Sequence, residues 1–496
     1  MAALLTLSAA HIEAFFEASR DANPLHRDAQ YARRTPFGRP VAYGMAAVLR
    51  AIALLGSAGP QRLISLRSTF RKPLFVDTGY DLIESLDGPR RRLRIGRGGI
   101  DYLVIHLHAQ DWDGHAGAGL AAEVDFEPRA SASPQPLCTT RKTGFTVAQT
   151  ALAHLLETFN LSAGQFPAQQ IATLLWMSYH VGMEMPGRQA LFAEAQVEFA
   201  MPATPSPELL LDLDEASFDS RFNRYTLQAR GPGIGQLALS AFRRPEPVAP
   251  ALGGSRPPEA MPRTLRGKKV LVTGAARGLG AEMVLACLQA GAQVIAHHRG
   301  EPAEIQAFAR VARDLGCGFN GIRADLEDPA AARQLGVEAA RLGPLDLIIC
   351  NASPPIPEAR LVEQGDEELQ EFVRRNLAIS LACARQLLPQ LARGGQFVHV
   401  STAYLSVPVP GFPHYLAAKA AQEGLIQALS REYQDARFVI ARLPRMRTDQ
   451  TNTPFSLSPL ADPAELAWKL VAALTGTDSP GLRLIELTGT VPPRQD

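Results

Sequence analysis

The stretch KKVLVTGAARGLGAEMVLACLQAGAQVIAHH, residues 268–298, leaves few folds open to the chain that carries it. An unbroken apolar strand runs into a glycine turn, then an amphipathic helix, then a second apolar strand. Strands that are apolar without alternation bury both faces, and that requires a parallel sheet with helices on either side. DLIIC (346–350), FVHVS (397–401) and FVIARL (438–443) read as further buried strands. A doubly wound α/β domain is therefore predicted for residues 265–496.

Upstream, residues 246–264 are crowded with proline and glycine and keep no hydrophobic period, so they read as a linker. Before it the texture changes. GMAAVLRAIALLG (44–56) is apolar nearly all round, a buried helix, and is followed by the alternating stretches LISLRSTFRKPLF, YDLIESL, RRLRIG and DYLVIHLHAQ. The same succession returns as QQIATLLWMSYHVGMEM (169–185), then FAEAQVEFAMPA, ELLLDLDEA, SRFNRYTLQA and GQLALSAF. The expectation is a tandem α+β pair, residues 1–130 and 138–245, each a helix wrapped by an antiparallel sheet and joined near ASASPQPLC.

Composition closes off several classes. A formal net charge of +1 over 496 residues gives no global attraction to nucleic acid or acidic membranes. Cys138, Cys287, Cys317, Cys350 and Cys383 are scattered, with no Cys-x-x-Cys pair, which argues against a disulfide framework or a structural zinc. The opening MAALLTLSAAHIEAFF lacks a basic flank, and no apolar run is long enough to span a bilayer, so a cytoplasmic protein is expected. HLHAQDWDGH offers His106, His108, Asp111, Asp113 and His115, but it reads as a solvated strand end and no metal is expected. The arginines of PRRRLRIGR (89–97) read as a solvated edge strand, with docking of an acidic carrier protein or coenzyme A phosphates as the sharper alternative.

In the carboxy-terminal half, Gly274, Gly278 and Gly280, with Leu279, stand between a strand and a helix, where backbone amides and the helix dipole favour a pyrophosphate. The next strand ends without the acid that usually holds an NAD ribose. Arg299 follows it and Arg277 lies in the turn, a pattern that favours a 2′-phosphate and hence NADP(H). Asp325, in RADLED, is placed to meet the adenine. His297 and His298 read as strand-end residues. Tyr415 and Lys419 are four residues apart and share a helical face. An ammonium there is expected to lower the phenol from its reference value near 10 and make it a proton donor.

These motifs resemble the short-chain dehydrogenase/reductases, a Rossmann-fold family, over residues 267 to about 490. The resemblance implies an active-site Asn376, a Tyr415–Lys419 pair, and a hydroxyl at Thr402 or Ser401, with Thr402 favoured by its spacing from the tyrosine. It also implies cofactor contacts from Asn351, Ala352 and Thr448 and self-association through long helices. CNAS (350–353), Pro444-Arg445 and the early Thr448 depart from the family pattern without removing a proton-relay residue.

At the other end, FFEASRDANPLHRDAQYARRTPFGRPVAYGM (15–45) puts Asp21 and His26 on either side of a proline. An acid and an imidazole supply the two proton transfers of an elimination, and the amide of Gly44 can hold a thioester oxygen. The stretch is similar to the signature of the MaoC-like, R-specific enoyl-thioester hydratases, which have the hot-dog fold; two departures are Arg20 and Tyr43. Arg20 is expected either to lower the Asp21 pKa or to fill a tunnel mouth. The second repeat has no such motif, which implies an inert half of a double hot-dog. Together the resemblances imply an NADPH-dependent 3-oxoacyl-thioester reductase joined to a 3-hydroxyacyl-thioester dehydratase, acting on acyl groups carried by acyl carrier protein or coenzyme A in fatty-acid or polyketide-type synthesis. The alternative is a ketoreductase whose hot-dog half only binds acyl chains. A thioesterase and a pure scaffold are the remaining rivals.

Overall fold

The computed structural model describes the chain except residues 1–2, 57–58, 113–140, 163, 201–207, 246–262, 302, 455–459, 476–480 and 489–496. It divides into two compact units, 1–246 with 453–455, and 247–452 with 456–496.

In the first unit the strands are β1 (Ala3–Leu5), β2 (Gln61–Phe70), β3 (Tyr80–Asp87), β4 (Arg90–Arg97), β5 (Ile100–Asp111), β6 (Arg141–Thr146), β7 (Ala190–Phe199), β8 (Glu208–Asp219), β9 (Arg224–Gly231) and β10 (Ile234–Arg243). The helices are α1 (Ala9–Ser19), the single turns α2 (Pro24–Arg27) and α3 (Ala29–Ala32), α4 (Gly44–Leu55), α5 (Gln149–Phe159) and α6 (Ala168–Tyr179). One antiparallel sheet holds all ten strands in the order β1-β3-β4-β5-β2-β7-β10-β9-β8-β6. The order is a palindrome: each strand of the first half has its counterpart at the mirrored place in the second. The seam is the pairing of β2 with β7, from Ser65↔Glu198 to Thr69↔Glu194. α4, apolar nearly all round, and α6, buried nearly all round, lie against the sheet among Tyr43, Phe15, Phe159 and Trp176.

The mirror extends to caps. α1 ends at Arg20 with φ 57°, α5 at Asn160 with φ 57°. The next residues, both buried, are Asp21 and Leu161. The position that carries the acid in one half is therefore apolar in the other.

One expectation fails here. β4, read as an edge, lies inside the sheet between β3 and β5. Alternation turns Leu93 and Ile95 to the core and Arg90, Arg92 and Arg94 to the opposite face, where Arg94 meets Asp101 at 2.9 Å. Arg91, on the same side as Leu93, stays half-buried at the rim of the apolar side and meets Glu84 at 3.3 Å, so no arginine is carried into the core. His106 sits opposite both Arg92 and Arg67, and burial together with those cations holds it below the usual imidazole value. Asp113 and His115 lie outside the described residues.

The second unit contains β11 (Lys269–Thr273), β12 (Gln293–His298), β13 (Phe319–Arg323), β14 (Leu345–Cys350), β15 (Leu391–Thr402), β16 (Arg437–Leu443) and β17 (Gly481–Glu486), all parallel, in the order β13-β12-β11-β14-β15-β16-β17. Its helices are α7 (Gly278–Gln289), α8 (Ala303–Asp314), α9 (Pro329–Arg341), α10 (Asp366–Leu387), α11 (Pro413–Glu432) and α12 (Pro463–Leu474). Two apolar clusters cover the two sheet faces, one with α7, α8 and α12, the other with α9, α10 and α11. This is the Rossmann-like arrangement, and its strand order reverses between β11 and β14, which is where such sheets open a crevice for ligands.

At that crevice the glycines are sterically required. Gly274 has φ 66°, and a Cβ on Gly280 would lie 2.0 Å from the Gly274 carbonyl oxygen. Gly424, in α11, has open space where its Cβ would go. Gly280→Ala is expected to lower the melting temperature by forcing the turn apart. Gly424→Ala is expected to raise stability by up to about 1 kcal/mol through helix propensity alone. Thermal unfolding of the two variants reads both signs.

Candidate active sites

In the second unit, β11 delivers the glycine turn to the amino end of α7. Arg277 is the cap residue there and makes no side-chain cap bond, so the first-turn amides face outward without a protein acceptor from the cap. Asn351 and Ala352, at the end of β14, donate their main-chain N–H groups to Thr273 Oγ1 at 3.0 and 3.1 Å. Asn351 Nδ2 donates to the Thr273 and Gly274 carbonyls, both at 3.3 Å, so this residue braces the turn. A Cβ on Gly278 would come within 3.4 Å of Thr448 Cγ2, which puts Thr448 over the same turn.

Sequence reasoning missed the work of His297. Its Nδ1 accepts from the Gly274 N–H at 3.3 Å, and its Nε2 donates to the Ala324 carbonyl at 3.1 Å. That pairing fixes the neutral Nε2–H tautomer, and burial holds the pKa at about 4. A histidine closing an otherwise apolar strand was the one available signal.

Arg299 is less available than its position suggested. Its Nη1 reaches Asp325 at 3.5 Å and Glu327 at 3.2 Å, and Arg375 binds Glu327 with two bonds of 2.6 and 2.8 Å.

Tyr415 and Lys419 lie one turn apart on α11, the Lys419 Nζ 6.0 Å from the phenol ring centre. Lys419 donates to the Val400 carbonyl at 2.8 Å. Burial lowers it to about 8, against the opposing pull of Glu423. Tyr415 is pushed up to about 12 by burial, and the hydrogen bond from Thr402 only partly offsets that. This corrects the expectation of a phenol lowered by the ammonium: desolvation wins and the phenol stays protonated. Ser401 turns away and donates to Glu423 at 2.5 Å, which Arg442 clamps at 2.9 and 2.7 Å. Asn376 is fully buried; its Nδ2 donates to Phe372, its main-chain carbonyl accepts from Gln422 Nε2 at 2.9 Å, and its Oδ1 has no hydrogen-bond partner. Gln422 was not foreseen.

The first unit holds its own centre. Asp21, 2 % exposed, accepts from Ser178 Oγ at 2.8 Å on Oδ2 and from the Asn23 N–H at 3.2 Å on Oδ1. Burial outweighs both bonds and raises it to about 7. The direction is upward, so the expectation of an Asp21 pKa lowered by Arg20 fails; the left-handed backbone of Arg20, φ 57°, explains why a glycine would suit that position. His26 Nδ1 lies 2.6 Å from the Val41 carbonyl, which can only accept, so Nδ1 carries the hydrogen and Nε2 the lone pair. Burial lowers His26 to about 4, with Arg244 adding to the effect. Tyr43 joins the two: its hydroxyl donates to the Asp21 carbonyl at 2.6 Å and its ring stacks 3.9 Å from the imidazole. Gly44 opens α4 with no side-chain cap, and Phe70 occupies the place of a Cβ. Among the described residues no group of three His, Cys, Asp or Glu side chains is arranged to hold a metal ion, and no helix is long and apolar enough to cross a membrane.

Comparison with known proteins bears on the second unit. Residues 268–453 match the family model of the short chain dehydrogenases. A short-chain type dehydrogenase/reductase of Picea abies is 28% identical over 180 residues, 34% of this chain and 66% of that protein. The 3-oxoacyl-(acyl-carrier-protein) reductase FabG of Staphylococcus aureus is 27% identical over 168 residues, 33% of this chain and 68% of that one. Among solved structures, a short chain dehydrogenase from Burkholderia cenocepacia in complex with NADP shows 24% identity and a TM-score of 0.41, covering 46% of this chain and 99% of that one.

The raised carboxyl of Asp21 has a stability consequence. The folded protein keeps the proton to about pH 7, whereas an unfolded chain releases it near 3.8, so stability falls as pH rises through that window, by roughly 1.4 kcal/mol per unit. Asp21→Asn removes the titration. Its melting temperature should exceed that of the native protein by more at pH 8 than at pH 5.

Proposed function

Starting from a short-chain dehydrogenase domain at residues 268–453, we propose that the chain is a bifunctional enzyme that reduces a 3-oxoacyl thioester with NADPH and dehydrates the resulting 3-hydroxyacyl thioester. The single observation that carries the reductase is the Tyr415 hydroxyl, hydrogen-bonded to Thr402, with Lys419 one turn below. The likeness to a 3-oxoacyl-(acyl-carrier-protein) reductase favours a thioester substrate on that carrier over one on coenzyme A.

The residues of the crevice fit a dinucleotide. Gly274, Gly278 and Gly280 clear the backbone for a pyrophosphate, the uncapped amides of Gly278, Leu279 and Gly280 face it, and Thr448 stands beside the turn. Arg277 and Arg299 would meet a ribose 2′-phosphate, Arg299 by exchanging part of its pairing with Asp325 and Glu327. When bound, the reduced nicotinamide supplies the hydride. Tyr415 gives its proton to the 3-oxo oxygen, and its high pKa keeps that proton in place until the oxygen becomes basic. Thr402 orients the same oxygen. Lys419 steadies the phenolate that remains, and Asn376 Oδ1 offers an acceptor for a relay water.

In the first unit the assignment is residues 1–130 and 138–245 as a double hot-dog, with Asp21 and His26 as its working pair. His26 Nε2, unprotonated, takes the proton alpha to the thioester carbonyl. Asp21, protonated below about pH 7, gives its proton to the departing hydroxyl, so a C–H and a C–O bond break, a C=C bond forms and water leaves. The Gly44 amide meets the enolate-like oxygen. The deep burial of Asp21 favours the second reading, a half that holds acyl chains without reacting.

Two assays separate these steps. With NADPH and a 3-oxoacyl thioester, Tyr415→Phe should lose at least about 100-fold in kcat, and native turnover should decline above about pH 8 as Lys419 gives up its charge. With a 3-hydroxyacyl thioester and no nucleotide, enoyl absorbance should appear and vanish in His26→Ala. No enoyl product from a protein that still reduces would leave the binding reading in place.

A further inference from the structure

We propose that the acid of the first unit works in a socket built by the second half of that unit, with Ser178 as the positioning residue of the Asp21 carboxyl. The proposal rests on the dehydratase reading of Asp21 and adds a residue from a half whose own acid position is Leu161. Ser178 sits in the last turn of α6, 4 % exposed, and its hydroxyl meets Asp21 Oδ2 at 2.8 Å. Beyond it the helix widens into a π turn, His180–Glu184. That turn brings Gly182 against the carboxyl so closely that a Cβ there would lie 2.1 Å from Oδ1 and 2.7 Å from Oδ2. The same segment holds the rest of the motif: Met183 Sδ accepts from the Ala22 N–H at 3.2 Å, the Gly187 carbonyl from Asn23 Nδ2 at 3.4 Å, and the Arg188 carbonyl from the Tyr31 hydroxyl at 3.1 Å.

The choice of a hydroxyl follows from the chemistry. Oδ1 receives the Asn23 N–H in either protonation state, so the exchangeable proton belongs on Oδ2. A main-chain N–H or an ammonium partner there could only donate, and would oppose the neutral acid. A serine hydroxyl donates to the carboxylate and, after rotating, accepts from the carboxylic acid. Ser178 therefore stays bonded to Oδ2 before and after the proton leaves. Tyr43 also meets Asp21, and it donates to the main-chain carbonyl, away from the reacting oxygens.

The test reads the carboxyl directly in the full-length chain. Isotope-edited infrared titration, with the Asp21 band assigned from Asp21→Asn, follows protonation whether or not the protein turns over. Ser178→Ala should move the midpoint upward by about one pH unit, since a buried carboxylate loses a donor, and should lower kcat for dehydration about tenfold with KM nearly unchanged. Ser178→Thr keeps a hydroxyl and should restore the native midpoint. If Ser178→Ala does not fold, Ser178→Cys, a weaker donor, should shift the midpoint part of the way. An unmoved midpoint in the folded variants overturns the proposal. A moved midpoint in a protein without dehydration sustains Ser178 as the partner of Asp21 while removing the dehydratase reading.

Discussion

Desolvation of ionisable groups that lack a full counter-charge governs both centres of this chain. Asp21 has two hydrogen bonds and no cation strong enough to keep it charged, so it rises to about 7. His26 falls to about 4 and Lys419 to about 8 for the same reason, while Tyr415 climbs to about 12. In each case the neighbours that favour the charged form are present but lose to burial. The outcome is a neutral imidazole beside a protonatable acid in one unit, and a neutral phenol above a weakly held ammonium in the other. Perturbed groups of complementary sign, enclosed together, are what proton transfer at neutral pH requires.

Local sequence carried the fold where the pattern was redundant. The apolar strands of residues 268–298 and the glycines between them admit one packing, because a Cβ at Gly280 collides with backbone. The succession of helix and alternating strands on either side of residue 138 likewise corresponds to two halves with the same strand order. The motif Asp21 to His26 and the pair Tyr415 and Lys419 were visible because each lies within a single turn or helix.

What escaped the sequence depended on partners far along the chain. Ser178 reaches Asp21 across 157 positions and Gln422 reaches Asn376 across 46, and neither has a local signature. The engagement of Arg299 by Asp325 and Glu327 arises where two strands end side by side. β4 misled for a different reason: a strand rich in arginine looks the same whether it lies at the rim or inside, and only pairing tells them apart. Nor did Tyr415 show its direction of shift, since charge is legible in a sequence and solvent exclusion is not.

The palindromic sheet gives this arrangement a stoichiometry. Two identical protomers meeting at a seam like that of β2 and β7 would present a pair of equivalent acids and come apart on dilution. Joined end to end, the halves are free to differ, so that one keeps Asp21 and the other keeps Leu161 and the serine that faces the acid. Because both belong to one covalent chain, their meeting is unimolecular and does not depend on how much protein is present.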